Sequence, residues 1–231
     1  MLPVVILAGG LATRLGEIAR DTPKSLVQVA GKPFIFQQLE LLKRSGVEKV
    51  VICAGHLGQK IQKAVGDGSG VGLEISFSFD GPRPLGTGGA IRKALPLLPD
   101  LFIILYGDSY LEVDYREVAK AFLYSGKLAL MAVYRNTGRW DRSNVVYDKG
   151  IVRLYDKNAQ GVEMHYIDYG ITCMTKEVLS AWQDDSFDLA EVLTKLSIGR
   201  ELAGYEVAER FFEIGSPAGI ADLERHLAER T

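Results

Sequence analysis

The chain has 231 residues, of which 47% are hydrophobic and 24% charged, and its formal net charge is −2. That is enough apolar material for the core of one domain of ordinary size, and a charge this close to zero argues against a general binder of nucleic acid or acidic membranes. No apolar run approaches the roughly 20 residues needed to cross a bilayer.

The first residues pass straight into Val4-Val5-Ile6-Leu7, an apolar, β-branched run that reads as a buried strand, with no basic leader ahead of it. Gly9-Gly10 ends the strand, and small or hydroxylic residues up to Thr13 leave backbone N–H groups to point at an anion. Two cations follow ten residues apart: Arg14, whose planar fork suits phosphate, and Lys24, a compact charge. A lone glycine pair is most often only a turn. The whole string fits neither G-x-G-x-x-G nor G-x-x-x-x-G-K-[ST], yet a tight turn followed by two cations is what a triphosphate requires.

Beyond Gly31-Lys32, Pro33 is placed at the first position of a helix carrying Ile35, Leu39 and Leu42, which Gly46 ends. Lys49 to Ala54 reads as a second strand. Gly55-His56 opens a helix with Ile61 and Val65, and Leu73 to Phe79 alternates as a third strand. Pro82 to Gly89 is expected to be a loop leading into a helix from Ala90 to Leu95. Leu101 to Tyr106 is the most apolar strand and should be central. Asp114 caps the next helix with Glu117 three residues on, and Leu128 to Tyr134 is another strand. Strands alternating with helices of this length predict a three-layer, Rossmann-like, mostly parallel α/β sheet.

From Asn136 the rhythm changes. Val145 to Tyr155 reads as a hairpin turning at Lys149-Gly150, His165 to Met174 as a strand, and Asp188 as the cap of a helix carrying Leu189, Val192 and Leu193. Phe211 to Ile214 is a short strand, and Ser216-Pro217 starts a last helix. With no linker or repeat, the chain reads as one domain over 1–231. A nucleotide-binding half covers 1–135, and a small β-rich, acceptor-side half covers 136–231. Cys53 and Cys173 sit in apolar strand-like runs and are expected to be buried free thiols, which fits a cytoplasmic protein.

In an open α/β sheet, ligands bind outside the carboxyl ends of the strands. Three groups fall there: Leu7-Ala8-Gly9-Gly10 with its loop, Gly86-Thr87-Gly88-Gly89, and Gly107-Asp108 after the central strand. Asp108 alone would be as good a turn or cap residue as a metal ligand. Beside a triphosphate loop, Mg²⁺ ligation is the better reading, because Mg²⁺ is usually held by one or two carboxylates plus phosphate oxygens. Asp80 precedes Gly81-Pro82 and reads as a turn residue, or as an acceptor for guanine N1–H and N2–H. His56 and His165 have no nucleophile to serve, and His226 is placed exposed on the terminal helix.

The stretch Leu7-Ala8-Gly9-Gly10-Leu11-Ala12-Thr13-Arg14-Leu15, then Pro23-Lys24-Ser25-Leu26, then Gly31-Lys32-Pro33, resembles the signature of the sugar-1-phosphate nucleotidylyltransferases: LAGGxGTRL, PKxL and GKP. Ala12 stands where that family usually has glycine. The resemblance implies a glycosyltransferase-A-like fold and a metal aspartate at Asp108. It implies a second metal acid in a D-x-G-x-P motif, read here as Glu213-Ile214-Gly215-Ser216-Pro217. It also implies a nucleobase- and ribose-facing loop at Gly86-Thr87, the alternative being a helix start capped by Thr87. Lys157, after Asp156, would hold the sugar phosphate, and Asp168 and Gly170 would approach the sugar hydroxyls. Implied substrates are a nucleoside triphosphate and a sugar 1-phosphate with Mg²⁺, in a monomer or homodimer. GTP and heptose or mannose 1-phosphate fit the motifs best, and UTP and dTTP enzymes share the core. Two other readings stay open: a catalytically silent nucleotide-sugar-binding subunit, and cytidylyl transfer to phosphocholine with Trp140, Tyr155, Tyr166 and Tyr169 as an aromatic cage. Arg135, Arg139 and Arg142 around Trp140 read as a lid, a solvated loop or a dimer contact.

Overall fold

The structure, a computed structural model, describes residues 1–10, 15–16, 21–138, 140, 142–158 and 162–229. Ala12, Thr13, Arg14 and Arg139, singled out above, lie outside the described residues. In chain order the elements are β1 (Val4–Leu7), β2 (Gln28–Val29), β3 (Lys32–Pro33), α1 (Phe34–Arg44), β4 (Lys49–Ala54), α2 (Gly58–Val65), β5 (Glu74–Phe79), α3 (Gly86–Ala94), β6 (Leu101–Tyr106), β7 (Ser109–Leu111) and α4 (Tyr115–Ser125). Then come β8 (Ala129–Arg135), β9 (Val145–Asp148), β10 (Ile151–Tyr155), β11 (Tyr166–Thr175), α5 (Lys176–Ser180), α6 (Leu189–Ile198), β12 (Leu202–Val207), β13 (Phe211–Glu213) and α7 (Pro217–Ala228).

Nine strands form one sheet in the order β5-β4-β1-β6-β11-β8-β12-β10-β9. β5, β4, β1 and β6 are mutually parallel, as the alternation of strands and helices predicts. Past β6 the sheet is mixed: β11 runs antiparallel to both β6 and β8, and β12 is parallel to β8. The strands of the C-terminal half therefore continue the first sheet across β6. β7 and α5 carried no distinct sequence signal, because a three-residue strand and a one-turn helix give too few residues for a period to show, and β12 is not a continuous apolar run, with Gly204 and Glu206 inside it.

Alternation along the strands sorts the core into two layers. Val4, Ile6, Val50, Ile52, Ile103 and Leu105 face α1, α2 and α4. Val5, Val51, Phe102 and Ile104 face α3, α5 and α6. A third, smaller core gathers Phe34, Leu41, Tyr110, Phe212, Ile214 and Leu223 where α7 covers β7 and β13. Cys53 and Cys173 are buried free thiols, as expected.

Local chemistry fixes the element ends. Asp114 accepts from the amides of Arg116 and Glu117, and Asp188 forms a full capping box with Glu191. Ser216 accepts from the Gly219 amide, with Pro217 at the first helical position. Lys149 and Gly150 both take positive φ, 43° and 86°, the two-residue turn that matches strand twist. Pro33 is a correction: it precedes α1 with extended backbone and pairs in β3, since its missing N–H suits the residue just outside the helix. His226 is another: its ring packs on Phe212 at 4.2 Å, and Nε2 lies 2.7 Å from Glu112 Oε2, so it is half-buried rather than exposed.

A larger correction concerns 86–89, which form the first turn of α3 instead of a loop. Thr87 caps a different helix: it donates to Asp188 Oδ1 at 2.9 Å and accepts from the Leu189 amide at 2.7 Å, at the start of α6. The glycines of this turn make room for residues 185–187. A Cβ on Gly88 would stand 2.2 Å from the Phe187 ring, and one on Gly89 would stand 2.5 Å from the Asp185 carbonyl oxygen. Gly88→Ala is therefore expected to lower stability by about 1–3 kcal/mol through overpacking. Truncating the ring in Gly88→Ala/Phe187→Ala should recover the methyl-clash part of that loss, which paired thermal melts would read.

Candidate active site

β1 lies between β4, reached through α1, and β6, which enters from the other side of the sheet. Chain direction across the sheet reverses at that pair, and the crevice outside the carboxyl ends of β1 and β6 is the expected ligand position. A cavity of about 380 Å³ opens there. Ala8 donates to the Cys53 carbonyl at 2.8 Å and Gly107 to that of Leu7 at 3.0 Å, so the three strand ends stay in register up to the cavity wall. A Cβ on Gly107 would lie 2.7 Å from the Leu7 carbonyl oxygen, and only glycine permits this approach.

The cavity wall brings together Leu7, Ala8, Gly9, Gly10, Lys24, Asp80, Gly86, Thr87, Gly107 and Asp108. Thus the described members of the proposed nucleotide group share one hollow with Lys24 and Asp108. The amides of Gly88 and Gly89 point elsewhere, onto the Phe187 carbonyl, so α3 offers an anion fewer open donors than a bare helix start would.

Lys24 stands at the head of a 3-10 turn set up by Pro23, whose carbonyl accepts from the Leu26 amide at 2.8 Å. Its ammonium donates to Asp108 Oδ2, and the two side chains are 14% and 30% exposed. Asp108 is held from behind by a residue that sequence reasoning passed over. The buried Gln38 side chain of α1 donates to the carbonyls of Tyr106 and Ser109, each at 2.9 Å, on either side of Gly107-Asp108. The overlooked signal was a glutamine on the apolar face of an amphipathic helix, since a buried amide must find backbone partners.

β13 pairs with β7 so that Glu213 lies opposite Ser109, and the Ile214 amide donates to the Asp108 carbonyl at 3.0 Å. The two acids proposed as metal ligands therefore occupy neighbouring positions of one short ladder. Two carboxylates close to this cavity match the oxygen-donor set that Mg²⁺ takes. Glu213 itself is exposed and lies just outside the cavity wall, which Gly215 joins.

Asp80 is half-buried, and desolvation holds its carboxyl above the usual carboxylate range against the opposing Lys93. Its Oδ2 lies against the Gly9 and Gly55 turns, within 3.7 Å and 3.1 Å of where Cβ atoms would stand.

The residues predicted to meet the acceptor lie outside the wall of this cavity, with Gly170 against Tyr106. Asp168 accepts from the Gly170 amide at 3.0 Å and from the Tyr155 hydroxyl at 3.3 Å, while its own amide donates to Asn144 Oδ1 at 2.9 Å. Burial raises its carboxyl, and Lys157, exposed on the turn after β10, opposes that shift. The proposed aromatic cage does not form. Tyr155 packs in the α3/α6 core and Tyr169 in the opposite one, Trp140 packs against Arg210 and Phe211, and Tyr166 packs against Tyr147.

Tyr106 was also passed over. It ends an aliphatic strand immediately before Gly-Asp, and it lines the cavity. Its hydroxyl is buried with no hydrogen-bond partner among the described residues, a state that costs about 1–3 kcal/mol.

The sequence model of the family described as nucleotidyl transferase matches residues 3–141, more than half of the chain. The chain belongs to the nucleotidyl transferase family. Among its relatives is D-glycero-alpha-D-manno-heptose 1-phosphate guanylyltransferase of Campylobacter jejuni, 28% identical over 220 residues, covering 94% of this nucleotidyltransferase and 96% of that protein. N-acetylmuramate alpha-1-phosphate uridylyltransferase of Neisseria meningitidis is 39% identical over 115 residues, about half of each chain. Among solved structures, HddC from Yersinia pseudotuberculosis complexed with GMP-PN superposes with a TM-score of 0.82 at 26% identity, covering 98% of this chain and 100% of that one. The Rossmann-like α/β fold and the sugar-1-phosphate nucleotidylyltransferase family expected from the sequence are both borne out. Enzymes of this family use a divalent metal. No helix among the described residues of this nucleotidyltransferase is long and apolar enough to cross a membrane.

Proposed function

We propose that this nucleotidyltransferase moves GMP from GTP to a heptose or mannose 1-phosphate, giving a GDP-sugar and pyrophosphate. The observation that carries the reading is the meeting of the β1 turn, Lys24 and Asp108 in one cleft at the β1/β6 reversal. The end-to-end likeness to a heptose 1-phosphate guanylyltransferase supports the choice of nucleotide and sugar.

In this reading an oxygen of the sugar phosphate attacks the α-phosphorus in line. A new P–O bond forms, and the bond to the β-phosphate oxygen breaks with its electrons on pyrophosphate. The attacking oxygen is already anionic at neutral pH, so the site needs no general base, and rate comes from positioning and charge. Gly9 and Gly10 amides and Thr13 hold the phosphates, Arg14 the departing pair and Lys24 the α-phosphate, sharing its ammonium with Asp108. Asp108 and Glu213 would hold Mg²⁺, which would supply neutralising charge for the reacting phosphates. Lys157 receives the acceptor phosphate, and Asp168 with Gly170 receives the sugar. The nucleotide thus belongs to 1–135 and the acceptor to 136–231.

Asp80 is the group assigned to the guanine edge. Asp80→Asn is expected to lower kcat/KM for GTP by about 10–100-fold, as one charge-assisted pair is lost, and to leave the sugar-phosphate KM in place. Because the carboxyl of Asp80 is raised, the GTP KM should also climb on acidification sooner than for an ordinary aspartate.

The decisive test pairs GTP, UTP, dTTP and CTP with a set of sugar 1-phosphates and reads Mg²⁺-dependent pyrophosphate release. GTP with heptose or mannose 1-phosphate should be turned over best. A second reading, uridylyl transfer, is favoured by the 39% identity to a uridylyltransferase over half of the chain, and preference for UTP in the same panel would establish it. Nucleotide binding without pyrophosphate release would indicate a silent binding subunit.

A further inference from the structure

We propose that the Tyr106 hydroxyl, with Asp168, forms a specificity subsite that reads one hydroxyl group of the acceptor sugar. The inference rests on the reaction proposed above and adds to it a residue that neither the motifs nor the metal ladder includes.

Tyr106 joins the two halves of the site. Tyr106 lines the cleft with Thr87, Gly107 and Asp108. The edge of its ring packs on Gly170 of β11, whose Cβ, if present, would sit 3.7 Å from Tyr106 Cδ2. Gly170 has φ +98° at the register shift in β11, and its amide binds Asp168 at 3.0 Å. Asp168 thus stands one glycine turn away from the tyrosine ring, partly exposed, with Tyr155 donating to it from the other side at 3.3 Å.

What singles Tyr106 out is an unmet bond. Asp168 has carboxylate lone pairs beyond those taken by Tyr155 and Gly170. The Tyr106 hydroxyl, a donor and an acceptor, is buried without a partner among the described residues. A sugar hydroxyl has the complementary pattern: it donates to the carboxylate and accepts from the phenol. A site built to hydrogen-bond a substrate hydroxyl rejects the analogue that lacks it, because its own buried groups are then left unpaired. An aliphatic residue here, continuing Ile103-Ile104-Leu105, would offer a hydroxyl no polar group.

The test takes the best acceptor from the nucleotide and sugar panel, its monodeoxy analogues, and Tyr106→Phe, which removes only the oxygen. In the unaltered protein one analogue should lose about tenfold or more in kcat/KM, the value of a lost hydrogen bond in a buried site. Tyr106→Phe should lose a similar factor on the parent sugar and accept parent and analogue alike. The KM for the triphosphate should be unchanged, and the melting temperature equal or higher, since the oxygen removed has no partner in the free protein. A Tyr106→Phe protein with intact selectivity across all analogues would overturn the subsite, as would one that melts lower with the sugar KM unmoved, the signature of a structural hydroxyl. If the unaltered protein releases no pyrophosphate with any pair, the reaction reading fails by itself. Calorimetric titration of the same sugar 1-phosphates into both proteins then still reads the subsite: equal affinities for parent and analogues in the unaltered protein would sink it.

Discussion

Lys24→Ala is expected to reduce turnover by about 10²-fold or more while leaving a folded protein, because it removes one charge partner of the reacting phosphates. The free structure sharpens this expectation. The Lys24 ammonium is already held at the cleft by Asp108, so under the proposed reaction it would meet the α-phosphate without rearrangement. Preorganised charge of this kind acts in the transition state at no further cost in orientation. A lysine kept only to neutralise Asp108 would behave differently: its removal would disturb the β6–β7 turn and lower the melting temperature, with modest loss of rate. Single-turnover pyrophosphate release and a thermal melt on the same sample separate the two. Turnover within threefold of the unaltered protein would refute the role assigned to Lys24.

How far such a site can be read from sequence depended on what kind of signal each residue leaves. β1, β4 and β6 were legible to the residue, because buried parallel strands are short apolar runs bounded by glycine or charge. The caps at Asp114, Asp188 and Ser216 were equally plain, since each is a polar residue at a fixed distance from an apolar period. Lys24 and Asp108 could be named, but only the fold could show them bonded to each other across 84 positions. The glycines at 86–89 show where local reasoning misleads. They suggest a ligand loop, yet Gly88 and Gly89 are glycine because Phe187 and Asp185 come down on them, and that contact has no trace in the local sequence. Gln38 and Tyr106 were missed for the opposite reason. Each sits inside a well-read element and departs from its pattern by a single polar group, whose meaning depends on what lies across the fold. The first four strands follow from the alternation of strands and helices. The antiparallel β11 between β6 and β8 does not, because its partners are set by where the chain re-enters the sheet.

Asp108→Asn should cost about 10³-fold in turnover, more than Lys24→Ala, because the aspartate is assigned both to the cation and to the lysine. Asparagine keeps the size and one acceptor oxygen, so the turn that Gln38 clamps at Tyr106 and Ser109 should stay in place and the melting temperature should hold. Glu213→Gln should follow the same direction with a smaller loss, since Glu213 is exposed at the end of its ladder and a displaced glutamate is more readily replaced by water. The informative measurement is the cycle between the two large variants. If Lys24 and Asp108 matter only as each other's ion pair, Asp108→Asn made in Lys24→Ala should cost almost nothing more. If each acts on the phosphates, one directly and one through a bound divalent ion, the double variant should fall well below either single one. The concentration of divalent metal giving half-maximal rate should then rise in Asp108→Asn and Glu213→Gln and stay put in Lys24→Ala. A metal requirement that moves equally in all three variants would place the ion somewhere other than the β7–β13 ladder and leave the carboxylates with a structural task.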